Sequence, residues 1–319
     1  MNIRSVSAIF VARIAIAAGF GFLFSVLAIA GGFPAGTGQA ARGPYFGQKP
    51  PGAVPEVFAP GIVSTAAHEF ACSFTPDGKE FYFTRRETPR SPTLIMVSKY
   101  IDGVWTTPEA APFNDQSSAR PASMLFEPMV TPDGRRLYFS SDRPLPEQTG
   151  AGGPPMLNIW YVELEGNDWS APKNPGPPFN PMKTMFVSMT KTGTIYTMDI
   201  SEGMGREAIA VTRPVDGVYQ PLEKLAAPVN VGTGSMYPYI APDESYLLFS
   251  RRVEQNAGNF LFVSFRKPDG TWGEPKAIDL GPLQAGQATM SPDGKYMFFT
   301  AGERGKSDIY WVEAFFLKK

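Results

Sequence analysis

Short apolar runs alternate with turn residues along most of this chain. The clearest example lies near the C-terminus, where a Ser-Pro-Asp-Gly turn at 291–294 is followed by the apolar runs 296–300 and 309–312. Proline presets φ for such a turn, and glycine adopts a positive φ at little cost. The runs are rich in aromatic and β-branched residues, as half-buried strands are. The segment therefore predicts a tight turn followed by two strands.

The same unit occurs five times from about residue 53 onward. Its turns are Thr75–Gly78, Thr131–Gly134, Lys191–Gly193, Ala241–Glu244 and Ser291–Gly294. Each is followed by two apolar runs, and in four units by a second turn and a proline-containing segment suited to an outer edge strand. Repeats of about 50 to 60 residues with four strands each are typical of propeller blades. The pattern predicts an all-β, five-bladed β-propeller of four-stranded antiparallel blades.

The fifth unit lacks an outer strand, because Lys319 follows its third strand closely. Residues 54–64 resemble the outer-strand segment of the fourth unit, and they precede the first unit. An N-terminal strand that completes the last blade would close the ring and cover both of its edges. We therefore predict that 54–64 pairs with the strand at 308–316.

The first 30 residues have the pattern of an export signal. Arg4 and Arg13 precede the uncharged apolar run 14–30, in which Ala28 and Ala30 resemble a cleavage site. The run is also at the short end of what can span a membrane, so an uncleaved N-terminal anchor is the alternative. A cleaved signal predicts a periplasmic or secreted protein. An uncleaved segment predicts attachment to the inner membrane through 14–30.

The next segment separates this signal from the repeats. Residues 31–52 show no strand or helix period and are rich in Gly and Pro. Such a composition predicts a flexible tether. The domain organisation expected from the sequence is therefore a signal peptide or anchor at 1–30, a tether at 31–52 and a propeller domain at 53–319.

Two units carry the most distinctive form of the repeat. One combines Ser291–Lys295 with Asp308–Tyr310, and the other combines Thr131–Gly134 with Leu137–Arg143 and Asn158–Trp160. These units resemble the WD40-like β-propeller repeat of bacterial envelope proteins of the TolB type, over about residues 53–316. The resemblance implies the propeller fold and a place in the cell envelope. It implies less about activity, because propellers serve as scaffolds, ligand binders and enzymes.

Composition narrows the possible partners and chemistries. The chain has 29 Lys and Arg against 30 Asp and Glu, a net charge of −1, whereas nucleic-acid binders usually carry a basic excess. No nucleic-acid partner is therefore expected. Cys72 is the only cysteine and cannot form an intrachain disulfide, and His68 is the only histidine. A histidine-rich zinc site is excluded, and we predict neither a metal nor another cofactor.

Two enzymatic interpretations of the repeat are not favoured. The aspartates of the Pro-Asp turns recur in four units, in three of them followed by glycine, which is typical of an aspartate that caps its own turn rather than of a catalytic group. The turns also differ from the sialidase Asp-box, since glycine follows aspartate directly and no tryptophan ends the motif. A serine peptidase is not expected either, because the chain has no Gly-x-Ser-x-Gly elbow.

Ligands of propellers usually sit at the mouth of the central channel, where the first strands begin and the second strands end. Aligning the units there gives candidate residues for a small polar or anionic ligand, with arginine suited to a carboxylate. These candidates are His68, Glu69, Arg85, Glu127, Asp199, Tyr237 and Arg251. The alternative is that the charged members form internal ion pairs between loops.

The function expected from the sequence is a non-catalytic, exported binding or scaffold protein of the cell envelope, and no catalytic residue is assigned. Its partner would be an envelope protein or a cell-wall or polysaccharide fragment, and we expect a monomer. The alternative is a glycan-active enzyme that uses Glu127 with Glu69 or Asp199. Glycoside hydrolysis requires carboxylates that face each other across a pocket at about 5–10 Å, so geometry separates the two hypotheses.

Overall fold

The computed structural model describes residues 41–114, 124–145, 157–180, 184–232, 234–252, 259–303 and 305–318. The predicted signal or anchor at 1–30 and the tether residues 31–40 lie outside this part of the chain. Within it, no helix has the length and apolar character needed to cross a membrane. Its helical segments are three short 3-10 turns, at Pro44–Gly47, Pro112–Asn114 and Phe315–Leu317.

Antiparallel sheets form the five blades of a β-propeller, as the sequence predicts. The first strands of the blades are β2 (His68–Phe74), β7 (Leu125–Val130), β11 (Thr184–Met189), β17 (Ser235–Ile240) and β21 (Ala285–Met290). The second strands are β3 (Glu80–Arg86), β8 (Arg136–Ser141), β12 (Ile195–Asp199), β18 (Tyr246–Arg252) and β22 (Tyr296–Glu303). The third strands are β4 (Leu94–Ile101), β9 (Asn158–Glu165), β13 (Ala208–Thr212), β19 (Asn259–Phe265) and β23 (Lys306–Glu313).

The outer strands are much shorter than the inner three. Four of them are β1 (Glu56–Val57), β6 (Glu109–Ala110), β16 (Glu223–Lys224) and β20 (Lys276–Ala277). In the second blade, a single bridge between Tyr161 and Lys173 occupies this position. Further two-residue strands flank the second turns: β5 (Val104–Trp105), β10 (Asp168–Trp169), β14 (Pro214–Val215) and β15 (Val218–Tyr219).

The N-terminal segment completes the fifth blade. β1 pairs antiparallel with β23, with Glu56 opposite Trp311. The next residue, Phe58, is fully buried, and its N–H donates to the Ile309 carbonyl at 2.8 Å. The predicted ring closure is therefore confirmed, and the last blade is built from both ends of the propeller domain.

The predicted tether extends too far towards the propeller, because residues near 46 belong to the packed domain. Phe46 is 6% exposed and stacks on Trp105 with ring centroids 4.3 Å apart. The Trp105 indole N–H donates to the Gly43 carbonyl at 3.0 Å. The Gly- and Pro-rich composition is typical of a linker, but the adjacent aromatic residues Tyr45 and Phe46 have apolar surface to bury, and burial of it stabilises an ordered segment.

The aspartates of the repeated turns have the structural role that the sequence indicates. Asp133 accepts hydrogen bonds from the Thr131 hydroxyl at 2.6 Å and from the Arg135 backbone N–H at 3.0 Å. Asp293 makes the equivalent bonds to Ser291 and Lys295. Each aspartate thereby holds its own turn closed, so that the first and second strands of the blade meet in register.

Candidate functional site

The first strand of every blade contains a β-bulge at the same position. The pairing with the second strand shifts there, and one residue adopts a left-handed conformation. These residues, with their φ angles, are Ala71 (43°), Glu127 (61°), Phe186 (58°), Tyr237 (53°) and Gln287 (50°). None is glycine, so each is held in a sparsely populated conformation, of a kind that occurs often at functional sites. A bulge redirects a side chain, and here it does so in all five innermost strands.

The redirected side chains meet at the centre of the ring. Gln287 Nε2 donates to Glu127 Oε1 at 3.2 Å, although Gln287 belongs to the fifth blade and Glu127 to the second. The first blade lies between the fifth and the second, and it contributes only Ala71 at the bulge position. On the other side, the rings of Phe186 and Tyr237 are in edge-to-face contact with centroids 5.7 Å apart. The five bulges therefore form one cluster across the axis.

A cavity of about 440 Å³ opens above this cluster, where the first strands begin. Its lining includes His68, Arg86, Phe126, Glu127, Tyr237 and Gln287. The size is that of a small-molecule site, and the mixture of aromatic walls with a few convergent polar groups is typical of one. We refer to it below as the channel-mouth cavity.

Glu127 lies at the floor of the channel-mouth cavity and is only 4% exposed. Its carboxyl group accepts hydrogen bonds from the Ser140 hydroxyl at 2.9 Å and from the Gln287 amide. Burial, which disfavours the charged form, raises the pKa of Glu127 to about 7 in spite of these donors. Near neutral pH this side chain therefore exists in both the protonated and the ionised form.

His68 lies at the rim, with its ring stacked on Phe70 at a centroid distance of 4.8 Å. Its Nδ1 accepts the Ser307 backbone N–H at 3.1 Å, which assigns the proton of the neutral ring to Nε2. Burial and the nearby Arg86 guanidinium both lower the pKa of His68, so the imidazole is neutral at pH 7. No described residue accepts a hydrogen bond from Nε2.

Tyr237 contributes a phenol to the same cavity. Burial, reinforced by the charge of Glu127, raises its pKa well above the ordinary value, so the hydroxyl stays protonated. In the part of the chain that the structure describes, this hydroxyl has no hydrogen-bond partner. It is thus available to donate to a ligand.

Glu69 and Arg85, two further sequence candidates, do not line the cavity. Glu69 is fully buried and pairs with the Arg85 guanidinium at 2.9 Å, and it also accepts the Thr65 hydroxyl at 2.6 Å. Arg85 donates in addition to the carbonyls of Ile62 and Val63, at 3.0 and 3.1 Å. The pair connects the closing N-terminal segment to the first blade. Glu69 and Arg85 therefore follow the alternative stated for the sequence candidates, in which charged residues form internal ion pairs.

Arg251 and Asp199 also lie outside the channel-mouth cavity. Arg251 donates to the carbonyls of Pro228 and Val229, at 2.8 and 2.7 Å. Asp199 accepts the Ser201 backbone N–H at 2.7 Å and lies 3.8 Å from Lys224. Both side chains therefore bind neighbouring residues of the protein and do not line the cavity. Of the seven candidates, the structure brings together His68, Glu127 and Tyr237.

Two residues of the site were missing from the sequence candidates. Gln287 shares the bulge position of Glu127 and Tyr237, so the alignment of the units could have identified it. Arg86 is the residue after Arg85, and the alternation of side chains along a strand places it on the opposite face.

Among the described lining residues Glu127 is the only carboxylate, and the described chain holds no cluster of three or more His, Cys, Asp or Glu residues that could bind a metal.

Comparison with known proteins finds similarity to solved structures only. No family model and no curated protein matches the chain. TolB from Acinetobacter baumannii is 14% identical over 79% of this chain and 53% of its own, with a TM-score of 0.48, so the chain spans about half the length of TolB. A thermostable family-43 glycoside hydrolase is 11% identical over 77% of this chain and 89% of its own, with a TM-score of 0.47. A gluconolactonase from Xanthomonas campestris is 13% identical over 87% of this chain and 97% of its own, with a TM-score of 0.44.

Proposed function

We propose that this protein is an exported, non-catalytic binding protein whose ligand is a small polar molecule held in the channel-mouth cavity. The observation that carries the proposal is the convergence of Glu127, Tyr237 and Gln287 on the channel axis, at the floor of a cavity of about 440 Å³. All five blades adopt a strained bulge at this level. Such strain persists only where the surrounding structure enforces it, and it is frequent at ligand sites.

The chemistry of the cavity favours a carbohydrate. Its floor offers the carboxyl of Glu127 and the phenol of Tyr237, which can exchange hydrogen bonds with hydroxyl groups. Phe70 and Phe126 add apolar surface to the wall, suited to the less polar face of a sugar ring. The volume accommodates a molecule of a few rings rather than a protein surface. We therefore propose a cell-wall or polysaccharide fragment in preference to an envelope protein.

Binding accounts for the site better than hydrolysis does. A glycoside hydrolase of the usual kind needs two carboxyl groups that face each other across the substrate. Glu127 is the only carboxylate among the described lining residues, while Glu69 is buried against Arg85 and Asp199 lies with Lys224. Export, the remaining part of the proposal, rests on the sequence of residues 1–30.

Titration calorimetry of the full chain against a panel of monosaccharides, polysaccharide fragments and peptidoglycan fragments tests the proposal. We expect Gln287→Ala to weaken binding about tenfold and Tyr237→Phe to weaken it about three- to tenfold, the effect of one hydrogen bond. Tyr239→Phe is the matched control, because Tyr239 lies on the same strand but lines a cavity at the opposite mouth. Absence of binding across the panel, or equal affinity in the three variants and the wild type, would contradict the proposal.

A further inference from the structure

The rim of the channel-mouth cavity carries a guanidinium group that has no partner among the described residues. Arg86 is the last residue of β3 and lines the cavity. Its guanidinium forms no hydrogen bond and no ion pair with any residue in the described ranges. Its neighbour in sequence, Arg85, is fully engaged with Glu69 and two backbone carbonyls. The two arginines therefore differ in role, and only Arg86 has its donors available.

A second donor that has no acceptor among the described residues lies directly beside Arg86. His68 is opposite Arg86 in the pairing of β2 with β3, and both side chains line the cavity. The bond from the Ser307 N–H to His68 Nδ1 fixes the ring and leaves the Nε2 proton as the donor. The Ser307 hydroxyl also lies 2.9 Å from Nδ1 and donates to the Glu69 carbonyl, so Ser307 of the fifth blade anchors the ring of His68 in the first.

The equivalent arginine in the fourth blade shows that this arrangement is not a general property of the repeat. Arg252 ends β18 as Arg86 ends β3, but its guanidinium lies 4.0 Å from the buried carboxylate of Glu207 and does not line the cavity. Its charge is therefore compensated within the protein. Among the described residues Arg86 faces no such carboxylate, and the only described carboxylate of the cavity, Glu127, already accepts bonds from Ser140 and Gln287.

We propose that the ligand of the channel-mouth cavity is an acidic sugar whose carboxylate is bound at the rim by Arg86 and His68, while its hydroxyl groups face Glu127, Tyr237 and Gln287 at the floor. The inference rests on the proposed function and adds the charge and the orientation of the ligand. Arginine binds carboxylates through two parallel N–H donors, and the neutral imidazole adds a third. A uronic acid and a muramic acid share this chemistry, and they represent a polysaccharide and a peptidoglycan source.

Calorimetry of the full chain with matched pairs of sugars tests the inference. The pairs are glucuronate with glucose, and N-acetylmuramate with N-acetylglucosamine, so that each acid has a partner of the same ring size without the carboxylate. We expect one of the acids to bind at least tenfold more tightly than its partner. Arg86→Ala should abolish this preference, Arg86→Lys should retain part of it, and the matched control Arg252→Ala should leave it unchanged.

The outcomes separate this inference from the proposed function. Binding of neutral and acidic sugars with equal affinity, or an acid preference that survives Arg86→Ala, would overturn the role of Arg86 while the cavity remains a sugar site. A complete lack of binding to all four sugars and to the larger fragments would overturn the proposed function, and the inference with it. A preference for glucuronate indicates a polysaccharide source, and a preference for N-acetylmuramate indicates peptidoglycan.

Discussion

Neighbouring residues on the inner strands have different roles because side chains alternate between two faces. His68 and Phe70 line the channel-mouth cavity, whereas Glu69 between them is buried behind it against Arg85. In the paired strand, Arg86 lines the cavity and Arg85 does not. A shift of one residue moves a side chain to the other face of a strand. At the residue scale, this alternation decides which charges meet a ligand and which ones stabilise the ring.

The carboxyl group of Glu127 makes folding stability depend on pH. Burial raises its pKa from 4.5 to about 7, so the folded state binds a proton more tightly than the unfolded state does. The stabilisation is complete below the unfolded pKa and is lost as the pH rises through the folded pKa. We expect Glu127→Gln to lack this loss. The free energy of unfolding of Glu127→Gln, relative to that of the wild type, should therefore increase by about 2 to 3 kcal/mol between about pH 5 and pH 8. The size of the pKa shift of Glu127 sets this value.

Urea denaturation of the two proteins at several pH values measures this difference. The charged form of Glu127 faces the phenol of Tyr237, which stays protonated throughout this range, so Tyr237 adds no titration of its own. Glu109→Gln, on the exposed outer strand of the first blade, is the control for replacing one carboxyl by an amide. A stability difference between Glu127→Gln and the wild type that stays constant with pH would show that Glu127 is not buried as described.

The ion pair of Glu69 with Arg85 should act on stability and not on binding. Arg85→Ala leaves the fully buried Glu69 carboxylate without its cation, which typically costs about 3 to 5 kcal/mol. The double variant with Glu69→Gln removes the uncompensated charge, so we expect it to be more stable than Arg85→Ala alone. Chemical denaturation measures both effects. A double variant no more stable than the single one would contradict this account.

At the scale of single elements, the repeated turns and apolar runs were sufficient to predict the blades. Each Pro-Asp-Gly turn holds itself closed through its own aspartate, so its geometry depends on few distant residues. The inner-strand bulges were not predicted, because a left-handed Glu127 or Gln287 carries no sequence pattern of its own. Only the fit of five neighbouring blades enforces that conformation. The sequence therefore located the site at the channel mouth and identified Glu127 and Tyr237 as candidates, but it did not reveal the bulges that turn these side chains towards the axis.

The N-terminal segment at 41–52 is the element whose role the composition did not reveal. Phe46 is 6% exposed and contacts Phe58 and Trp105. Truncation of a buried phenylalanine usually costs about 3 to 5 kcal/mol, so we expect Phe46→Ala to lower the free energy of unfolding by about 3 kcal/mol. Thermal and urea denaturation measure this change. A flexible tether would show none.

A control two residues beyond this segment makes the comparison specific. Val54 is 74% exposed, and Val54→Ala should alter stability by less than about 0.5 kcal/mol. Equal effects of Phe46→Ala and Val54→Ala would show that the aromatic side chain is not part of the core.

At the scale of the whole molecule, the ring is closed by one segment that joins its first and last blades. Glu56 and Val57 pair with β23, Phe58 is fully buried, and the carbonyls of Ile62 and Val63 are bound by Arg85 of the first blade. Each blade otherwise contacts its neighbours through inner strands and interblade bonds such as that from the Val130 N–H to the Ser73 hydroxyl. The sequence predicted this closure, because a missing strand at one end matched a surplus segment at the other.

The closure predicts that the chain can be divided and reassembled. A fragment that begins at residue 65 exposes the edge of β23 and the cavity left by Phe58, so we expect it to lose cooperative unfolding and to self-associate through the open edge. A synthetic peptide of residues 41–64 should restore the cooperative transition, because it supplies both the edge strand and the buried aromatic residues.

The same peptide with Phe58→Ala should bind at least tenfold more weakly, since removal of a buried phenylalanine costs more than 1.4 kcal/mol. Tryptophan fluorescence follows the reassembly, because Trp311 lies 5.2 Å from Phe58 between ring centroids. A fragment that unfolds as cooperatively as the full chain, with no response to the peptide, would show that the ring is stable without its N-terminal strand.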